Sequence, residues 1–219
     1  MGKLVAALPE ATSEVHVKSF LRQLLLPAII ALAFLPSLAQ APAPQTSVVD
    51  QTLLAKASAG DAASQIKVAD AYAAGNGTPR DSRQLTADYK QASDWYLKAA
   101  NQGSIVAMIH LADLYRDGRG VARDMTQAVT LYRKAAELGD AGAQGTLGIL
   151  YSVGMGIQQD YIEAYFWLDL AASVPGANQA RSITNRQSVG EHITTDQQAM
   201  VEDRVTAWKA AHPRANVHE

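Results

Sequence analysis

Side chains that could do chemistry are few in this chain, and none stands at a productive spacing. The five histidines are His16, His110, His192, His212 and His218. No two of them form the helical His-x-x-x-His pair that holds zinc, and none is matched to carboxylates at such a spacing. His110 sits beside Leu111 and reads as a surface histidine. There is no Cys, which removes disulfide staples, thiolate metal sites, a cysteine nucleophile and an acylated-cysteine anchor together. No Gly-x-Ser-x-Gly elbow occurs. Gly75-x-Gly77, Gly118-x-Gly120 and Gly154-x-Gly156 resemble pieces of phosphate loops, but they follow helical patterns and lack the Lys-Ser/Thr, so they read as turns. Glu202-Asp203 reads as a solvated helix face. Trp95, Trp167, Tyr72, Tyr115 and Tyr151 would make an aromatic box if they converged, yet they recur at fixed intervals and read as core. These residues imply no catalysis, no metal and no cofactor.

The elements that would position a site follow from one pattern written three times. Val68, Ala69 and Tyr72 match Leu111, Ala112 and Tyr115, and both sets match Leu147, Gly148 and Tyr151. Positions i, i+1 and i+4 share one stripe of a helix, and the small middle residue lets a neighbouring helix approach. Paired glycines behind each Tyr stop the helix and supply a turn at positive φ. A second helix then opens at Asp88, Asp124 or Asp160, each within Asp-x-x-[Gln/Glu]-Ala. Aspartate is a strong N-cap, and Gln or Glu three residues on completes a capping-box-like arrangement. Each second helix ends in Ala-Ala, and Gly103 and Gly139 close the first two units. The first copy carries seven extra residues between Gly77 and Asp88. Asp81 offers an alternative cap for a helix two turns longer, but Asp88 keeps the register of the other caps, so the spacing predicts a longer loop.

The flanks fit the same scheme. Val48 to Gly60 reads as a lone second helix covering the first copy. Beyond the break at Val174-Pro175-Gly176, Ala177 to Gly190 reads as a polar helix. Thr194 or Thr195 opens a last helix through Trp208 to Ala211, stopped by Pro213. A period of this length with atypical end units makes a stacked array. The pattern Leu-Gly-x-x-Tyr, x-x-Gly-x-Gly, Asp, Ala, Trp-Tyr-x-Lys-Ala-Ala, Gly resembles the Sel1-like repeat (SLR) family, relatives of the tetratricopeptide repeats. Leu131 and Leu168 depart from it, standing where Trp and Tyr are usual.

The resemblance implies an all-α, right-handed αα-solenoid. Its parts would be a capping helix at 48–60, repeats at 61–103, 104–139 and 140–175, a capping helix pair at 176–213 and a tail at 214–219. By analogy with tetratricopeptide units, groove residues stand two before and two after the Leu position of each first helix. These are Ile66 and Asp70, Ile109 and Asp113, and Gly145 and Ile149. Arg116 lies one turn beyond Asp113 and is matched by Ser152 in the third repeat. Isoleucines beside carboxylates suit a peptide of alternating apolar and basic residues. The competing reading is that the isoleucines only seal the seam between repeats.

Composition and the N-terminal region bound the setting. With 19 Lys+Arg against 21 Asp+Glu, net charge −2, the chain has no basic field for nucleic acid. Lys18 and Arg22 precede an apolar run from Leu24 to Leu35, too short for the ~20 residues of a spanning helix. Ser37-x-Ala39 then offers a signal-peptidase box. This predicts export with cleavage before Gln40; the alternative is an inner-membrane anchor through residues 24–39. Met1 to His16 form an extension too long and too mixed for an ordinary signal start. Gln40 to Thr46, with two prolines, reads as a disordered tether. The functional expectation is a non-catalytic adaptor of the bacterial cell envelope, periplasmic or secreted, that binds a protein or peptide partner. A structural part of an envelope or polysaccharide-export complex is the alternative. A third possibility, β-lactam binding or hydrolysis, belongs to a cysteine-rich subgroup of the family and does not fit a chain without Cys.

Overall fold

A computed structural model of the chain describes residues 49–75 and 81–213. The expected signal segment, the tether, Gly77 and the C-terminal tail lie outside them. Nine helices and no strand occur among the described residues: α1 (Gln51–Ser58), α2 (Ala62–Ala74), α3 (Ser82–Asn101), α4 (Ile105–Asp117), α5 (Met125–Glu137), α6 (Ala141–Val153), α7 (Tyr161–Ala172), α8 (Gln179–Gly190) and α9 (Thr195–Ala211).

Short polar side chains begin these helices. Asp61, Ser104 and Asp140 accept from the backbone N–H three residues on and open α2, α4 and α6 directly behind the closing glycines. Asp124 and Asp160 do the same for α5 and α7. The full reciprocal box is formed at α9, between Thr194 and Gln197. Each cap satisfies an N–H that the helix itself cannot.

The first repeat departs from the expected loop. α3 starts at Ser82, and the Asp81 carboxylate accepts from the Gln84 N–H at 2.7 Å. Asp88 is buried inside the helix, where it accepts from Gln84 Nε2 at 3.0 Å. The reason is helical arithmetic. Seven residues are close to two turns, so the extension keeps the downstream face in phase. Residues 82–88 contain neither Gly nor Pro to interrupt it.

Successive helices pack as neighbours: α2 with α3, α4 with α5, α6 with α7, and each pair with the next. Val68, Leu111 and Leu147 are buried along the array together with Ala69, Ala112 and Gly148. Tyr72, Tyr115 and Tyr151 are half-buried at its margin. α7 is apolar around nearly its whole circumference, as a helix enclosed by others must be; α6, α8 and α9 all pack on it. α1 covers the open end, where Val49 and Ala57 bury Val68.

The two glycines of each pair do different work. Gly75, Gly118 and Gly154 end the first helices in the left-handed region. Gly120 and Gly156 touch the preceding unit. A Cβ on Gly120 would lie 2.3 Å from the backbone of Tyr89 and Lys90, and one on Gly156 would lie 2.6 Å from the Met125 carbonyl oxygen. Backbone meets backbone at these seams, and only glycine leaves the room.

Glutamines stitch neighbouring helices. Gln65 Nε2 donates to the Ala57 carbonyl at 3.1 Å, and Gln144 Nε2 donates to the Ala136 carbonyl at 3.2 Å. The Gln65 oxygen accepts in turn from Gln102 Nε2 at 2.8 Å. The buried Gln144 oxygen has no donor among the described residues, because Val174 stands where Gln102 would be.

Candidate functional site

A cleft of about 390 Å³ opens between α4, α6 and α8. Ile109, Asp113 and Arg116 enter it from successive turns of α4, the i, i+4, i+7 stripe of one helix face. α6 contributes Ile149 one turn on from Gly145 and Thr146, and α8 contributes Arg181 and Asn185, with Asn178 at its start. Tyr132 of α5 reaches the cleft from behind. Gly145 sits where α8 comes close: a Cβ there would be 3.2 Å from Ser182 Oγ.

Four of the six sequence-predicted residues, Ile109, Asp113, Arg116 and Ile149, are thus gathered in one cavity. Ile66 and Asp70 are not among its walls. Ile66 is half-buried and packs against the main core, so it serves the seam. Asp70 is exposed on α2 and accepts the Tyr96 hydroxyl at 2.6 Å. His110 lies beside that pair, its ring centroid 5.1 Å from that of Tyr96. Ile109 and Ile149 touch the core as well as the cleft, so for them sealing and lining are one role.

The electrostatics alter what the cleft can recognise. Asp113 is already occupied: Arg116 Nη1 lies 2.6 Å from its Oδ1, and the Tyr132 hydroxyl donates to the same oxygen. Arg116 also donates to the Tyr132 hydroxyl at 2.8 Å and pairs with Asp117 at 2.9 Å. Burial first, then the Asp113 carboxylate, holds the Tyr132 hydroxyl well above its ordinary pKa. Tyr96 is pushed up in the same way, by burial and by Asp70. The hydrogen bond from Arg116 holds the Asp117 carboxyl below the usual range. The open carboxylates that the sequence suggested for a basic peptide are therefore engaged within the protein. The cleft cation with no ion-pair partner among the described residues is Arg181, which is exposed.

Sequence reasoning missed Arg181, Asn178 and Asn185, because α8 carries no copy of the repeat pattern. It also passed over Tyr132. A signal for Tyr132 was present. Asp70 with Tyr96 and Asp113 with Tyr132 occupy two repeat positions that hold Ile149 and Leu168 in the third repeat. Both members change together, as two residues in contact would. Among the described residues no group of three or more His, Cys, Asp or Glu could hold a metal ion, and no helix is long and apolar enough to cross a membrane.

Three copies of the Sel1 repeat match the chain, at residues 62–104, 105–140 and 142–173. No curated protein matches it. Among solved structures it is similar to a protective antigen present in uropathogenic Escherichia coli strains that displays an SLR fold. The two are 25% identical with a TM-score of 0.55, over 74% of this chain and 41% of that one. It is also similar to a Sel1 repeat protein from Oxalobacter formigenes, at 28% identity and a TM-score of 0.53, over 63% of this chain and 96% of that one. The chain spans about two-fifths of the antigen's length. With the repeat matched over just over half of its residues and the same fold in both structures, the chain belongs to the Sel1 repeat family, whose units typically mediate interactions between proteins.

Proposed function

We propose that this chain is a non-catalytic adaptor that holds an extended polypeptide in the cleft between α4, α6 and α8. The cleft carries the reading: an apolar strip from Ile109 and Ile149 is flanked by polar side chains from three elements, the composition of a peptide-binding groove. A repeat scaffold of this kind is generally non-catalytic. Export completes the proposal. Lys18, Arg22, the Leu24–Leu35 run and Ser37-x-Ala39 form a secretory signal, so the adaptor works in the periplasm or beyond it, with its mature N-terminus at Gln40.

Affinity capture from periplasmic extract with two baits tests this reading. Thr146→Trp places a large side chain in the cleft, so a partner of the native chain should bind it at least about tenfold more weakly, roughly 1.4 kcal/mol. Equal capture by both baits would put the binding surface elsewhere. Mass spectrometry of the same material reads the N-terminus, and an intact Leu24–Leu35 segment in the membrane fraction would overturn the export part alone.

A further inference from the structure

We infer that the polypeptide held in this cleft is selected by an acidic side chain, which Arg181 receives beside the apolar strip of Ile109 and Ile149. This deepens the adaptor reading and rests on it. Three ionisable side chains besides Tyr132 line the cleft: Asp113, Arg116 and Arg181. The first two are closed on each other at 2.6 Å, and Arg116 is further held by Asp117. Their charges cancel in place, so the charge left for a partner is that of Arg181. On the same helix Arg186 is paired with Asp169 and does not compete.

A basic partner residue would meet Arg181 and find the one carboxylate of the cleft already bonded twice. An acidic residue breaks no existing contact, and a guanidinium offers a planar fork of donors that suits a carboxylate. Asn178 and Asn185 stand one turn to either side of Arg181 on the same wall. Each carries an amide that both donates and accepts, which matches the backbone of an extended chain. The neighbouring isoleucines accept an aliphatic side chain. The expected motif is therefore an acidic residue close to an aliphatic one.

Selection from a random dodecapeptide library, displayed with its C-termini fused, tests this on the purified chain. The fusion removes terminal carboxylates, so only side chains can answer. Peptides enriched on the native protein should be rich in Asp or Glu next to aliphatic residues. On Arg181→Glu the acidic bias should vanish or turn basic, and Arg181→Lys should keep it. For the best peptide, anisotropy should read about fivefold weaker binding to Arg181→Gln, the scale of a partly exposed ion pair. Enrichment without an acidic bias, or a bias that survives Arg181→Glu, overturns the inference. If Thr146→Trp still abolishes enrichment in that case, the cleft remains the partner site. No enrichment on the native chain overturns both.

Discussion

The first two repeats and the third solve the same packing problem with different chemistry. In the first two, a tyrosine buried on the second helix turns its hydroxyl to an aspartate on the first, Tyr96 to Asp70 and Tyr132 to Asp113. In the third, Leu168 and Ile149 hold those positions. Leu168 is fully buried, and a Cβ added to Gly148 would lie 2.6 Å from its Cγ. The glutamine stitches differ too. Gln65 is satisfied on both sides, whereas Gln144 keeps only its bond to Ala136. A hydroxyl–carboxylate pair is directional and presents polar atoms at the inner face. A Leu–Ile pair contributes burial alone and leaves an apolar strip. Because the scaffold tolerates either pair, the inner face can change chemistry from repeat to repeat without changing the fold, and the cleft lies where the two solutions meet.

The comparison breaks most visibly at Leu168. Leu168→Ala should cost about 2–5 kcal/mol, from lost burial plus the cavity left behind. Urea denaturation followed by circular dichroism measures it. A cost under about 1 kcal/mol would mean that α7 collapses onto Gly148, and the third repeat would then not depend on this contact.

The repeats were legible because their signals are local. Asp124, Asp160, Gly118 and Gly154 each act within one turn of their own helix. Asp88 misled for the same reason. It and Asp81 are both good caps, and residues 83–87, which are exposed, leave the choice to helical continuity and phase, since no Gly or Pro interrupts them. Ile109, Asp113, Arg116 and Ile149 came from repeat phase, which fixes a helix face. The neutralised charge of Asp113 was half visible, since Arg116 follows at i+3; the Tyr132 hydroxyl comes from another helix. Arg181 was out of reach, because the face α8 turns to the cleft is set by its packing on α7.

Tyr132→Phe tests the polar solution and should cost about 1 kcal/mol, the net worth of an ordinary hydrogen bond. Asp113 keeps Arg116, so no carboxylate is stranded. The variant also has a pH signature. The native state holds the Tyr132 and Tyr96 protons beyond the ordinary value of about 10, at which the unfolded chain gives them up. Stability from this source is complete below about pH 10 and falls as pH rises further. Tyr132→Phe should flatten that decline above about pH 10, read as urea midpoints. An unchanged slope would show that another group titrates.

The smallest effect expected separates the two glutamine stitches. Gln65 donates to the Ala57 carbonyl and its oxygen accepts from Gln102, whereas Gln144 bonds Ala136 alone and its buried oxygen has no donor among the described residues. The counterpart of Gln102 in the third repeat is Val174, a buried side chain with nothing to donate. Gln65→Leu should therefore cost about 1 kcal/mol, for the two hydrogen bonds it loses. Gln144→Leu should stay within about 0.5 kcal/mol of the native chain, because it removes a buried acceptor without a donor along with its one bond. Urea midpoints of the two variants measure the difference. Equal costs would mean that the glutamine of the third repeat is as well satisfied as that of the first, and the contrast between the two stitches would be lost.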